Sequence, residues 1–433
     1  MTQILPFRAL RYNPQVKLEE VITQPYDKIT ETMQARYYER SPHNLVRIIL
    51  GKRQETDTPS FNVYSRAAEY FHDWRSCGIL RQDPEASIYL YVQTFTVPGT
   101  RDVAERRGLI ALGRLHPYSD GVVFPHEHTL AKPREDRLNL LRATRAHFGQ
   151  IFMLYSDPAA EVEQLLTPAA EDEPDISVLD EYEVLHRVWR ISDPVRIAAV
   201  QQAMRDKKLL IADGHHRYET ALAYRNECRE RSPNSGPDAA HEFVMMTFVR
   251  MEGRGLVVLP THRVVHSLPD YDRERMLEKA RTFFSVDRID LRSESRSATT
   301  LLQEAGADGT AFVVVTRQGP YLLRAKKNAV QEAMHHVSLR QRDLDVVQLH
   351  KIMLERVLGI SEESVRNQEH IAYERDAFEA ISRVRQGANA AFLLNPARIE
   401  QVRDIAFAGE VLPQKSTDFY PKLLSGLAIY ALE

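Results

Sequence analysis

The run Leu209-Leu-Ile-Ala-Asp-Gly-His-His-Arg-Tyr218 places an aspartate, a glycine, two histidines and an arginine directly after an apolar stretch. Those types at that spacing suit the holding of a phosphate. Lys208–Ala212 reads as a buried strand, the next five residues as a tight turn, and Tyr218–Glu230 as a helix. A helix N-terminus presents unpaired N–H groups and the positive end of the macrodipole, so an anion is stabilised there. Gly214 lets the backbone take positive φ and approach a ligand closely. Arg217 is suited to a two-pronged grip on phosphate oxygens. Asp213 fits three roles: helix cap, general base or Mg²⁺ ligand. His215 and His216 project in different directions, so at most one faces the same ligand. The simpler reading is a capping aspartate, a turn glycine and two surface histidines.

A second dense cluster is Phe124-Pro-His-Glu-His-Thr129. Glu127 can accept a proton from a hydroxyl or hold Mg²⁺ bound to phosphates. In extended backbone His126 and His128 share a face that suits zinc, yet no CxxC accompanies them, and Leu130 stands where HExxH needs histidine. The competing reading is a polar loop before a helix opened by Pro133, with Arg134 to Arg137 in its first turn. Near the C-terminus Lys415-Ser416-Thr417 can bind phosphate or carboxylate, or simply form an exposed turn. Asp27, after Pro25-Tyr26, is a candidate catalytic or metal carboxylate. His262-Arg263 either adds positive charge or forms a strand edge, and Phe419-Tyr420 packs the tail. No GxxxxGK[ST], no dinucleotide fingerprint and no GxSxG occurs.

The elements that position these residues come from a chain of 433 residues, 43% hydrophobic and 27% charged, with net charge −3. That length predicts two or three domains, and the near-neutral balance argues against a DNA-coating protein. Two cysteines, Cys77 and Cys228, make no disulfide framework. Neither a signal peptide nor an apolar run of about 18 residues is read, so a cytoplasmic protein without membrane or nucleic-acid partners is expected. A helix is predicted over Pro59–Ser76, with Phe61, Tyr64, Ala68 and Phe71 on its apolar face. Strands are predicted at Ile88–Phe95, Gly108–Leu115 and Ile151–Tyr155. Residues 161–186 hold nine acids and no Lys or Arg, which reads as a solvated loop or exposed helix. Further on come a helix at Pro194–Lys207, strands at Phe243–Val249 and Leu256–Leu259, and a hairpin pairing Phe312–Val315 with Tyr321–Arg324. A helix is predicted through Val346, Leu349, Met353 and Val357, then a strand at Ala390–Leu394 and a helix ending at Gly409. Strands and helices mix without a strict βαβ rhythm, so the fold class is α+β.

The turn Asp213-Gly-His-His-Arg-Tyr218 resembles the Gly-Cys-His-Arg turn of sulfiredoxin and the Gly-Glu-Arg-Arg turn of ParB partition proteins. It is most similar to the form in ParB-like free-serine kinases. The whole chain resembles the prokaryotic "domain of unknown function ten-fifteen" family. The matching pieces are Pro6-Phe7-Arg8, Pro25-Tyr26-Asp27, Pro125-His126-Glu127 with Thr129, Asp136-Arg137, the Asp213 turn, Pro260-Thr-His-Arg263 and Pro413-Gln-Lys-Ser-Thr417. The resemblance implies a ParB/sulfiredoxin-like nucleotide-binding domain over 1–260, with a β-rich insertion near 85–180. A mixed α/β C-terminal domain over 261–433 would contribute a substrate loop. His215 stands where sulfiredoxin has its cysteine nucleophile, which disfavours sulfinic acid reduction. No recognition helix or basic face supports partition-type DNA binding.

The expected activity is a nucleotide-dependent phosphotransferase on a small hydroxylated molecule, with free L-serine, or the reverse transfer from phosphoserine to ADP, implied by the resemblance. Gly214, His215, His216 and Arg217 hold the phosphates of ATP or ADP, with Mg²⁺ on Asp213 or Glu127. Glu127, Asp213 and His126 form the catalytic set. Asp27, Lys415, Ser416 and Thr417 bind the substrate. A homodimer is compatible with this reading. Two alternatives remain: a non-enzymatic nucleotide-gated module of ParB type, and a metal-dependent phosphohydrolase built on His126, Glu127, His128 and Asp213.

Overall fold

A computed structural model describes residues 1–127, 131–290 and 294–433, with backbone alone for 131–133 and 294–297. His128 and Thr129 lie outside the described residues. The chain divides into two compact units. The first comprises Met1–Pro125, residues 131–257 and Pro421–Glu433, and the second His126, Glu127 and Val258–Tyr420.

The first unit is built on a nine-stranded sheet. Its order runs Val123–Phe124, Leu209–Asp213, Ile151–Tyr155, Phe243–Arg250, Val103–Arg114, Ile88–Thr96, Leu185–Ile191, Ile176–Leu179, and Ile4–Leu5 also pairs with Val103–Arg114. Pairing is antiparallel except for Leu209–Asp213 on Val123–Phe124 and Phe243–Arg250 on Ile151–Tyr155. The β-rich stretch near 85–180 and the strand feeding the Asp213 turn therefore share one sheet. Leu209, Leu210 and Ile211 are buried, as a continuous apolar run in a strand inside a sheet requires. The acidic stretch holds a helix, Glu161–Leu166, and an edge strand, Ile176–Leu179, with Ser177 and Leu179 exposed.

One helix begins later than its periodicity predicts. It spans Val63–Ser76 because Asn62 caps it, accepting from Tyr64 N at 2.9 Å and Ser65 N at 3.3 Å, while Asn62 N donates to Ser65 Oγ at 2.9 Å. This reciprocal pair satisfies two orphan donors and fixes the start. Phe61 falls before the cap and is exposed, and the buried face is Val63, Ala67, Phe71 and Trp74.

The C-terminal segment is tied to this sheet by a buried arginine. Arg106 Nη2 donates to Pro421 O at 2.5 Å, its Nε to Gln93 Oε1 at 3.0 Å, and Gln93 Nε2 to Lys422 O at 2.9 Å. The guanidinium also lies over the Phe152 ring at 4.6 Å. These bonds carry Lys422 into the first unit.

The second unit holds a six-stranded antiparallel sheet in the order Phe284–Arg288, Gly319–Ala325, Ala311–Thr316, Ala390–Leu394, His262–Val265, Ile371–Glu374. The hairpin predicted around Gly319 is present. His262–Val265 is flanked on both sides, so the strand-edge reading of His262-Arg263 is corrected. The helix predicted through Val346 and Val357 is an α-helical turn, Asp345–Gln348, running into a π-helix, Leu349–Val357.

Gly255 tests the packing of the first unit. A Cβ there would stand 2.1 Å from the Glu105 carbonyl oxygen, a backbone atom that cannot swing away. Gly255→Ala should lower stability by about 1–3 kcal/mol through forced backbone displacement, read as a lower thermal midpoint. An unchanged midpoint would refute that close approach.

Candidate functional site

The strand Leu209–Asp213 ends in Gly214, whose φ of 95° is left-handed, and the helix His215–Arg231 starts at once. It begins three residues before the predicted start. Gly214 is its N-cap, and no side chain caps it, so Asp213 is not the helix cap. The Asp213 carboxylate does something else. Its Oδ2 accepts from Arg217 Nη2 at 2.6 Å and its Oδ1 from Lys422 Nζ at 3.1 Å. Arg217 Nη1 donates to the Gln150 carbonyl, which fixes the other arm of the guanidinium. Gln150 is held in turn by Thr247 Oγ1, donating to its Oε1.

Burial alone would raise the Asp213 pKa, but Lys422, Arg217 and Lys28 together hold it far below its usual 3.8. A carboxylate in that state is a poor proton acceptor, so the geometry argues against Asp213 as general base. Both oxygens already accept from cations, so Asp213 does not fit a Mg²⁺ ligand either. Among the described residues no group of three or more His, Cys, Asp or Glu is placed to hold a metal ion.

The same unit gathers other predicted pieces around the turn. Pro25, Tyr26, Arg137, Gly149 and Arg217 line a small cavity of about 70 Å³. The Arg137 guanidinium lies 4.1 Å over the Tyr26 ring. Burial raises the Tyr26 pKa, and Arg137 opposes it. Asp27 is exposed, in the short 3-10 turn Tyr26–Lys28. His215 is buried and His216 partly so, consistent with two neighbours pointing differently. The cations Lys28, Arg137 and Lys422 were not singled out from the sequence as site residues. Only Arg137 carried a signal, as part of Asp136-Arg137.

The remaining predicted residues belong to the second unit. His126 is buried, with Nε2 2.7 Å from Thr417 Oγ1 and its ring edge-on to Phe419. Glu127 forms a parallel backbone bridge with Leu412, and Leu412 N donates to His126 O at 2.8 Å. Two distant motifs thus meet, Pro125-His126-Glu127 and the Lys415 loop. Lys415 is exposed with φ 57°, a left-handed conformation that costs a non-glycine residue about 1 kcal/mol. Ser416 is buried and donates to Pro413 O at 2.5 Å. The loop is pinned by Arg263, whose Nη2 reaches Lys415 O at 3.1 Å and Gln414 O at 3.3 Å. His262 accepts from Leu394 N at its Nδ1, and burial pushes its pKa down to about 4, so it adds no positive charge. Burial pushes Asp345 up to about 6, against hydrogen bonds from Thr310 and Asn395.

A family model described as "Protein of unknown function (DUF1015)" matches residues 4–347. No curated protein matches the sequence. Among solved structures, the chain is similar to a conserved hypothetical protein from Pyrococcus furiosus, at 12% identity and TM-score 0.34, over 69% of this chain and 87% of that one. It is similar to a free serine kinase in complex with AMP, at 14% identity and TM-score 0.34, over 69% and 83%. It is also similar to SbnI with C-terminal truncation from Staphylococcus aureus, at 10% identity and TM-score 0.35, over 73% and 85%. Among the described residues no helix is long and apolar enough to cross a membrane.

Two carboxylates give opposite pH signatures. The folded pKa of Asp213 is depressed, so its stabilisation is complete above 3.8 and is lost as pH falls below it. Asp213→Asn should lower the thermal midpoint at pH 7, with the gap to wild type narrowing below pH 3.8. The folded pKa of Asp345 is raised, so the wild type loses stability as pH rises from 3.8 through about 6. Asp345→Asn should raise the midpoint at neutral pH by about 2–4 °C and match wild type near pH 4. Melting curves across pH check both, and a gap of either sign that ignores pH would refute the assignments.

Proposed function

The chain belongs to the DUF1015 family, and we propose that it is a nucleotide-dependent phosphotransferase acting on a small hydroxylated metabolite. One observation carries this reading. The left-handed Gly214 turn opens a 17-residue helix, and Arg217 in its first turn is held rigidly between Asp213 and the Gln150 carbonyl. Backbone N–H groups at a helix start, with a pre-ordered guanidinium beside them, form an anion site whose ordering cost is already met by the fold. Lys28, Arg137 and Lys422 add positive potential in the same unit.

In this reading Gly214, His215, His216 and Arg217 hold the phosphates of ATP or ADP. Asp213 orients Arg217 and Lys422 instead of moving a proton. The substrate hydroxyl, losing its proton, attacks the terminal phosphorus as the bond to the departing nucleotide oxygen breaks. Mg²⁺ bound to the nucleotide would supply neutralisation of phosphate charge. In the second unit buried His126 positions the Ser416-Thr417 loop through Thr417. Phosphoryl transfer needs chiefly positioning and charge stabilisation, which such a set supplies. The resemblance of the turn to ParB-like free-serine kinases makes L-serine the first substrate to try, with phosphoserine and ADP for the reverse direction.

The test is ATP- or ADP-dependent interconversion of L-serine and phosphoserine by the purified chain. Arg217→Ala should reduce turnover at least 100-fold, about 2.7 kcal/mol of transition-state stabilisation. Absence of nucleotide binding, or full activity in Arg217→Ala, would overturn the reading. Nucleotide binding that changes the oligomeric state without turnover would favour a gated binding module.

A further inference from the structure

The second unit contains a cavity of about 580 Å³, formed entirely by its own residues. At its wall sits Arg263, 1% exposed. Its bonds go to the Thr261, Gln414 and Lys415 carbonyls and to His350 Nε2, with Tyr373 stacked at 4.9 Å. Every one of those partners is neutral or π-electron density, and no carboxylate pairs with Arg263 among the described residues. A buried cation without a counter-charge is held at high cost unless an anion completes it.

Three further features line the same cavity. Gln348 also lines the cavity. Its Nε2 donates to Arg342 O at 2.8 Å, while its Oε1 is buried with no hydrogen-bond partner. Gln348 ends the helix Asp345–Gln348, and the π-helix Leu349–Val357 follows directly. π-helical turns are rare and concentrate at functional sites. Ser416, next to left-handed Lys415 whose carbonyl accepts from Arg263, also lines the cavity. Lys327 and Arg398 stand at its exposed rim.

From this convergence we infer that the cavity binds a small metabolite carrying an oxyanion, carboxylate or phosphate, beside an N–H or O–H donor. The oxyanion is drawn by Arg263 with Lys327 and Arg398. The donor supplies what Gln348 Oε1 lacks. Asp308, Asp343 and Asp345 also line the cavity, and burial raises the Asp345 pKa to about 6, so its negative charge there falls as pH drops toward that value. The site uses residues of the second unit alone and does not require the phosphotransferase reading.

The full chain, free of nucleotide, is titrated calorimetrically with L-serine and, separately, with inorganic phosphate. Saturable binding that the variants below weaken assigns the carboxylate class where serine is the probe affected, and the phosphate class where inorganic phosphate is. In the double variant Lys327→Ala/Arg398→Ala, whose changes lie on the surface, affinity should fall at least tenfold. Gln348→Met, which fills the same volume without an acceptor, should weaken the probe that carries a donor by a similar factor. Circular dichroism spectra matching wild type confirm that each variant is folded. No binding of either probe, or binding in both variants within twofold of wild type, overturns the site. Because no nucleotide is present, neither result depends on turnover.

Discussion

Asp213 between Arg217 and Lys422 is the interaction on which the rest of the first unit's site depends. A carboxylate with little access to solvent is tolerated only when its charge is met, and here two cations meet it, one at each oxygen. One arrives from the helix that the turn begins, four residues on. The other arrives more than two hundred residues later, on a segment held to the sheet by Arg106 and Gln93. The pair therefore locks the turn to its own strand and to the end of the chain at once.

That arrangement also reassigns the chemistry of the motif. The residue type most suited to proton transfer in the turn is the one whose charge is fully engaged. Its low pKa makes it a brace for two donors, and the donors are what an anion would meet. The same economy appears in the second unit, where His126 is buried against Thr417 and Arg263 staples the Lys415 loop through carbonyl oxygens. In both units polar residues of the motifs hold loops in place.

Several elements were legible from local pattern. The apolar run at Leu209, the hairpin at Gly319, the strand at Ala390 and the α+β mixture all follow from side-chain periodicity and turn residues, which act over a few positions. The helix at Val63 was misplaced because periodicity does not report where the cap falls. Phe61 has the right spacing but precedes Asn62, and the cap's two hydrogen bonds outweigh one aromatic's preference. The acidic stretch after 161 was read by charge alone, and charge does not show that Ile176–Leu179 completes a sheet edge.

The sequence by itself determined the anion-suited turn, its glycine, its arginine and the helix behind it, because each depends on neighbours within a few residues. It also determined that the chain is an ordinary folded one with little net charge. Only the tertiary structure decided that Lys422 neutralises Asp213, that the Thr417 hydroxyl meets His126, and that Arg263 lies buried with no carboxylate paired to it among the described residues. Those facts depend on residues brought together across long loops, and no local spacing encodes them. The physical reason is burial: a charge's role is set by which partners and how much water the fold leaves it.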